Sequence, residues 1–318
     1  MASETITTNI LVLGAGELGT SILTHLSSLA PPSTKITVLL RPSTLSSSLP
    51  SKKQELAYLK SLNLAFLASD IANSSISELA TLFKPFDTII SCLGFASGPG
   101  SQIKIATAVL EAGVKRYFPW QFGVDYEVVE RGSAQDLWDE QLDVRDLLRK
   151  QSGTEWVIVS TGLFMSFLFE PGFGVVERIG GDGGEWVVRA LGSWENKVTV
   201  TTPEDIGRLT AMIVFEEPRL RNEVVFTAGE TISYGELVGI VENVLGKKVK
   251  REVWTVERLE KELEEQRGNE GETMAKYRVA FAVGKGVSWE MERSWNWKKG
   301  VDVTGVGKYA EESLKRAG

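Results

Sequence analysis

Residues 9–19 read NILVLGAGELG. Ile10, Leu11, Val12 and Leu13 form an apolar run without polar alternation, as in a strand buried on both faces. Gly14, Gly16 and Gly19 then follow in the spacing G-x-G-x-x-G, and LGTSILTHLSSLA continues with a helical pattern. Each glycine has a physical task in a strand–turn–helix unit that receives a dinucleotide. The first allows the tight turn, the second lets backbone approach a pyrophosphate, and the third packs helix on strand. The helix N-terminus offers unpaired N–H groups and a positive dipole end to the phosphates. Gly14, Gly16, Glu17, Leu18 and Gly19 are therefore candidate cofactor-binding residues.

The same alternation continues outward from this unit. KITVLLR, LNLAFLASD, FDTIISCLG, KRYFPWQFG and TEWVIVSTG read as further short strands. KKQELAYLKSL, SISELATLFKP, SQIKIATAVLEAG and DLWDEQLDVRDLL read as the helices among them. Short apolar strands separated by helices predict an α/β fold, a doubly wound parallel Rossmann sheet covered on both faces. Beyond residue 160 the pattern loosens, with FMSFLFEPGFGVVERIGGDGGEW rich in aromatics and glycine. WVVRALGSWENKVTVTT gives two strand-like runs around a turn, PEDIGRLTAMIVFE a helix, NEVVFTAGE a strand, and SYGELVGIVENVLG and VERLEKELEEQ two more helices. The expected division is an NADP-binding Rossmann domain over 1–160 and a smaller α/β substrate-binding domain over 161–318. Segments around 200–230 are expected to pack back on the first.

Composition removes several classes of function. A chain of 318 residues, 42% hydrophobic and 24% charged, can bury a sizeable core. Its net charge of -7 argues against nucleic acid as a partner, which needs a basic face. A single cysteine, Cys92, allows no intrachain disulfide, and a single histidine, His25, excludes His-rich and Cys/His zinc sites. No apolar run reaches the roughly 18 residues of a membrane span, and the N-terminus lacks a signal peptide's basic and apolar regions. The expectation is a soluble cytoplasmic protein with no membrane partner, monomer or homodimer left open.

Cofactor choice is read from the end of the second strand, where an NAD site usually carries an acid for the ribose hydroxyls. This chain has Arg41 there, and a guanidinium suits a 2′-phosphate, so NADPH is the expected cofactor. Lys52 could add charge to that site. At the fourth strand's end, Ser91, Leu93, Gly94 and Phe95 fall at the carboxyl edge of the sheet, beside the cofactor, with Cys92 read as a buried structural thiol. None of the six tyrosines is followed by lysine four residues later, so the usual Tyr–Lys proton relay of short-chain dehydrogenases is absent.

Taken in order, GAGELG, VLLRPSTL, GSQIKIATAVLEAGVKRYFPWQFGVD and WVIVSTGLFMSFLF resemble the NmrA-like, isoflavone reductase-like branch of atypical short-chain dehydrogenases. The resemblance covers nearly the whole chain and is nearest to fungal members described as aromatic alcohol reductase-like. It implies a Rossmann domain with a smaller C-terminal substrate domain, and an NADPH-dependent reductase of an aromatic or polyketide-like metabolite. Plant members carry Pro-Ser-Glu-Phe-Gly where this chain has Pro119-Trp120-Gln121-Phe122-Gly123. They also place a catalytic lysine before a Val-Arg pair, and matching that pair to Val144-Arg145 puts the lysine at Gln141.

On a helical wheel of residues 136–148 most charges fall on one side, and Leu137, Gln141, Val144 and Leu148 on the other. Gln141 thus lies on the inward face, where an amide cannot exchange a proton but can polarise a carbonyl. A proton would come from Tyr126, Tyr117, Lys150 or water. Tyr126 is preferred because it follows the fifth-strand turn, an exposed loop tyrosine being the competing expectation. Gln121 and Phe122 are cofactor candidates at the same turn. Trp120, Phe164, Phe167 and Phe169 are candidates to line a pocket for a planar aromatic substrate. Two other functions remain open at this stage, a non-catalytic NADP(H)-binding regulator and a redox-neutral isomerase or cyclase on the same fold.

Overall fold

The computed structural model describes residues 8–94, 98–181 and 183–316. In chain order it begins β1 (Thr8–Leu13), α1 (Glu17–Leu29), β2 (Thr34–Leu40), α2 (Pro42–Leu45), α3 (Pro50–Ser61) and β3 (Ala65–Ala68). It continues α4 (Ile76–Phe83), β4 (Thr88–Ser91), α5 (Ser101–Glu111), β5 (Arg116–Phe118), α6 (Tyr126–Val129), α7 (Leu137–Arg149) and β6 (Glu155–Ser160). After these come β7 (Leu163–Phe164), a 3-10 turn over Met165–Phe169, β8 (Val176–Ile179), β9 (Glu185–Leu191), β10 (Lys197–Thr201) and α8 (Pro203–Val214). The last part holds β11 (Glu223–Phe226), β12 (Glu230–Ser233), α9 (Tyr234–Leu245), β13 (Lys250–Trp254), α10 (Val256–Gln266), α11 (Glu272–Val283), α12 (Trp295–Lys298) and α13 (Val306–Arg316).

The chain divides into two compact units. The first holds the residues up to Gln121, Glu140–Val159 and Ile206–Val225; the second holds Phe122–Asp139, Ser160–Asp205 and the chain from Phe226 onward. A seven-stranded sheet in the order β11-β6-β5-β4-β1-β2-β3 forms the centre of the first. The pairs from β6 through β3 are parallel, as the unalternating apolar runs predicted. Leu13 is paired with Leu39 on one side and Ser91 on the other, so the carboxyl ends of β1, β2 and β4 meet at one point. The strand order reverses there, which is where open α/β sheets hold ligands. Leu11, Leu13, Ile89, Ile105, Val109, Val144, Leu148 and Ile158 belong to one buried cluster against this sheet.

Two three-stranded sheets lie in the second unit, β12-β10-β7 and β13-β9-β8. The two strand-like runs of WVVRALGSWENKVTVTT become β9 and β10, but they enter different sheets. Asn196 holds the connection, its Nδ2 donating to the Leu191 and Ala282 carbonyls. The sequence reading did not anticipate β13, α11 or α13. In α11 the buried residues Ala275, Val279, Ala280, Phe281 and Ala282 are mostly small, so its apolar face is weakly marked. Among the described residues no helix is long and apolar enough to cross a membrane.

Candidate functional site

A groove of about 660 Å³ opens where β1, β2 and β4 end. Its lining includes Gly14, Ala15 and Gly16 from the first turn, Arg41 after β2, Lys52 on α3, and Leu93 and Gly94 after β4. That volume lies within the ordinary range for cofactor pockets. Gly14 has φ of +90°, a conformation that side-chain-bearing residues rarely adopt. At Gly16 a Cβ would meet no atom within 4 Å, so this backbone faces open space. Gly19 is the reverse: a Cβ there would lie 2.3 Å from the Gly14 carbonyl oxygen. The N-terminus of α1 has no side-chain cap at Gly16, and its positive dipole end points toward the groove side of the glycine turn. Glu17 and Leu18 open this helix, Glu17 exposed and Leu18 buried.

Arg41 and Lys52 give the groove its cationic side, although Lys52 is also paired with Glu55 at 2.7 Å. The sequence reading overlooked Asp70, Ile71 and Asn73, which line the same groove after β3. Asp70 accepts from the Ala72 N–H at 3.1 Å and from Asn73 Nδ2 at 2.8 Å. The Asn73 bond, with Arg41 contributing at longer range, holds its carboxyl below the ordinary aspartate value. The signal was present as LASDIAN, an acid at the end of a strand, but it also reads as an ordinary turn. Cys92 lines the groove as a buried thiol whose pKa burial pushes up, which suits packing and not nucleophilic chemistry.

Other candidates have different surroundings. Ser91 is buried in β4 and does not line the groove. Phe95 lies outside the described residues. Trp120 lies against Gly94: a Cβ on Gly94 would come within 3.1 Å of the indole ring. Gln121 is fully buried at the end of β5, its side chain turned to α7. The inward face of α7 includes Gln141, Val144 and Leu148 as predicted, all buried, whereas Leu137 is only partly so. Arg145 departs from the wheel's sorting of charges: at 1% exposed it is among the largest fully buried side chains. Its Nε donates to Gln121 Oε1 at 2.7 Å. Gln141 is 2% exposed, does not line the groove, and its Oε1 has no hydrogen-bond partner among the described residues.

The model of the NmrA-like family matches residues 6–306, nearly the whole chain. The chain belongs to the NmrA-like family. Over 306 residues it is 49% identical to an NmrA-like family domain-containing oxidoreductase of Gibberella moniliformis, covering 96% of this chain and 97% of that relative. Phenylcoumaran benzylic ether reductase 1 of Arabidopsis thaliana is 30% identical over 266 residues, covering 81% of this chain and 82% of the relative. Among solved structures, the leucoanthocyanidin reductase–NADPH complex from Vitis vinifera superimposes with a TM-score of 0.79 at 19% identity, covering 96% of this chain and 99% of that one. That likeness establishes a shared fold.

In this NmrA-like chain the second unit carries the remaining candidates. Tyr126 begins α6 and is 4% exposed, so it is not an exposed loop residue. Its ring meets Trp138 edge-on at 6.1 Å, and its hydroxyl packs so closely on Gly123 that a Cβ there would lie 2.5 Å away. From Trp138 the edge-to-face contacts run on through Phe281 and Phe173 to Phe167, at 6.1, 6.0 and 5.9 Å. Phe122 is buried, Phe164 partly buried, and Phe169 packs against Tyr309 at 5.6 Å.

Proposed function

We propose that this chain is an NADPH-dependent oxidoreductase that reduces an aromatic or polyketide-like carbonyl or enone. The observation that carries this reading is the groove after β1, β2 and β4, with its open Gly16 backbone, uncapped helix start and Arg41. In it the Gly14–Gly19 turn and α1 would hold the pyrophosphate, and Arg41, assisted by Lys52, the 2′-phosphate. Leu93 and Gly94 would border the nicotinamide end, with Trp120 fixed on Gly94 narrowing it toward planar substrates. The chemistry that NADPH supplies when bound is a hydride. The oxidoreductase relative at 49% identity and the benzylic ether reductase at 30% support the redox assignment.

The chain's own residues then supply hydrogen bonds and a proton. Gln141 would polarise the substrate's oxygen, a task that needs a fixed donor and no titration. The donor for that task is its Nε2; the partnerless Oε1 is an acceptor, whose burial costs about 1–3 kcal/mol, and it offers nothing to a substrate oxygen. Tyr126 is the proposed proton donor, its ring packed edge-on against Trp138 and its hydroxyl close beside Gly123.

Titration with NADPH and NADH, followed by aromatic ketones and enones with the reduced nicotinamide's absorbance monitored, tests the assignment. Tight NADPH binding and oxidation with at least one ketone or enone are expected. NADPH binding without oxidation across a broad panel would favour a regulator, and substrate conversion with no change in the nicotinamide an isomerase. Gln141→Leu should lower kcat about tenfold, the worth of one lost hydrogen bond, at unchanged NADPH affinity. Its melting temperature should hold or rise, because the variant removes an unmet buried acceptor. Wild-type turnover in that variant would make Gln141 a packing residue. Tyr126→Phe should likewise reduce kcat with NADPH binding intact, and equal loss of both would reassign Tyr126 to the core.

A further inference from the structure

Gln121 uses both ends of its amide on one turn of α7. Its Oε1 accepts from Arg145 Nε at 2.7 Å, and its Nε2 donates to the Gln141 main-chain carbonyl at 2.8 Å. Gln141 and Arg145 are four residues apart, so they are the two ends of a single helical hydrogen bond. The side chain therefore clamps that turn to the end of β5. All three residues are at most 2% exposed, so no solvent competes for these bonds. The neighbouring residue fixes the turn from another direction. Glu140 accepts from the N–H groups of Gly100, Gln102 and Ile103 at 3.0, 2.7 and 3.1 Å, fastening α7 to the start of α5. Gln102 in turn donates through Nε2 to the carbonyl of Leu93, a groove residue, at 2.8 Å.

We infer that Gln121 is a positioning residue for Gln141, an inference that rests on the catalytic reading of Gln141 given above. Position 121 needs one donor and one acceptor, which an amide provides and neither a carboxylate nor a thioether can. Glutamate would keep the bond from Arg145 but set two acceptors face to face at the Gln141 carbonyl. Methionine would lose both bonds.

Gln121→Glu and Gln121→Met separate these parts. Gln121→Glu should lower the melting temperature less than Gln121→Met, because it keeps the bond from Arg145, while it loses about tenfold in kcat and changes KM and the NADPH dissociation constant less than twofold. Gln121→Met should lose both stability and kcat. Hydrogen exchange of the peptide containing Gln141 to Arg145 should accelerate in both variants, a readout that needs no turnover. Wild-type kcat in Gln121→Glu, or a kcat loss matched by an equal loss of NADPH affinity, would overturn the positioning role. Unchanged exchange in both variants would overturn the clamp itself. Failure of the underlying reading shows elsewhere, as wild-type kcat in Gln141→Leu while exchange in the Gln121 variants still accelerates.

Discussion

Gly19→Ala is expected to weaken NADPH binding more than about 100-fold and to lower the melting temperature by several degrees. The added Cβ would stand 2.3 Å from the Gly14 carbonyl oxygen and 2.9 Å from its carbon. Both atoms are backbone, so no side chain can swing aside. Gly14 cannot retreat easily either, because its N–H donates to the Leu39 carbonyl at 3.0 Å and its φ is already +90°. The start of α1 must therefore lift away from β1, at a cost of about 1–3 kcal/mol for overpacking, carrying the phosphate-binding N–H groups with it. Gly16→Ala provides the contrast. Its Cβ meets nothing within 4 Å, so the melting temperature should stay at the wild-type value. The methyl would project into the space proposed for the pyrophosphate, so NADPH affinity should still fall about tenfold. Fluorescence titration and thermal melts of both variants decide the matter: wild-type NADPH affinity in Gly19→Ala would mean that this turn does not carry the phosphates.

Much of the fold could be read from the local pattern around that turn. Ile10 to Leu13 are buried because the sheet is covered on both faces, and such strands announce themselves as unbroken apolar runs. The helix starts at Ser75 with Glu78 and Ser233 with Glu236 are fixed by reciprocal capping boxes, a local signal that the sequence reading did not use. Partners remote in the chain were harder to read. Arg145 looks like one more surface charge on a helical wheel, because burying a guanidinium is exceptional and its acceptor, Gln121, lies 24 residues earlier. Asp70 reaches the groove only because β3 pairs with β2, whose end carries Arg41. In a sheet buried on both faces, alternation carries no inside and outside, so nothing in TIISC says that Ser91 is buried away from the groove while Cys92 lines it. Gln141 was legible as an inward-facing amide, but the clamp on its carbonyl was not, since main-chain acceptors leave no mark in a sequence.

Arg41→Glu is expected to invert the cofactor preference. Arg41 follows β2, whose last residues pair with β1 beside the glycine turn, and its side chain lines the groove with Asp70. A guanidinium–phosphate hydrogen bond is worth about 1.5–3 kcal/mol, so its loss alone weakens NADPH about 10–100-fold. The introduced carboxylate adds repulsion, and Asp70 then faces the groove without the cation that now stands near it. Lys52 compensates poorly, because Glu55 already holds its ammonium at 2.7 Å. The NADPH dissociation constant should therefore rise on the order of 100-fold, while that for NADH stays level or falls, since a carboxylate can accept from both ribose hydroxyls. Added salt should weaken NADPH binding to the wild type more than NADH binding, and that difference should reverse in the variant, because salt then screens the repulsion between the introduced carboxylate and the 2′-phosphate while the pyrophosphate term is common to both cofactors. A variant that still prefers NADPH, or a wild type that binds NADH equally well, would remove Arg41 from the site and leave the glycine turn to be judged by the Gly16 and Gly19 variants alone.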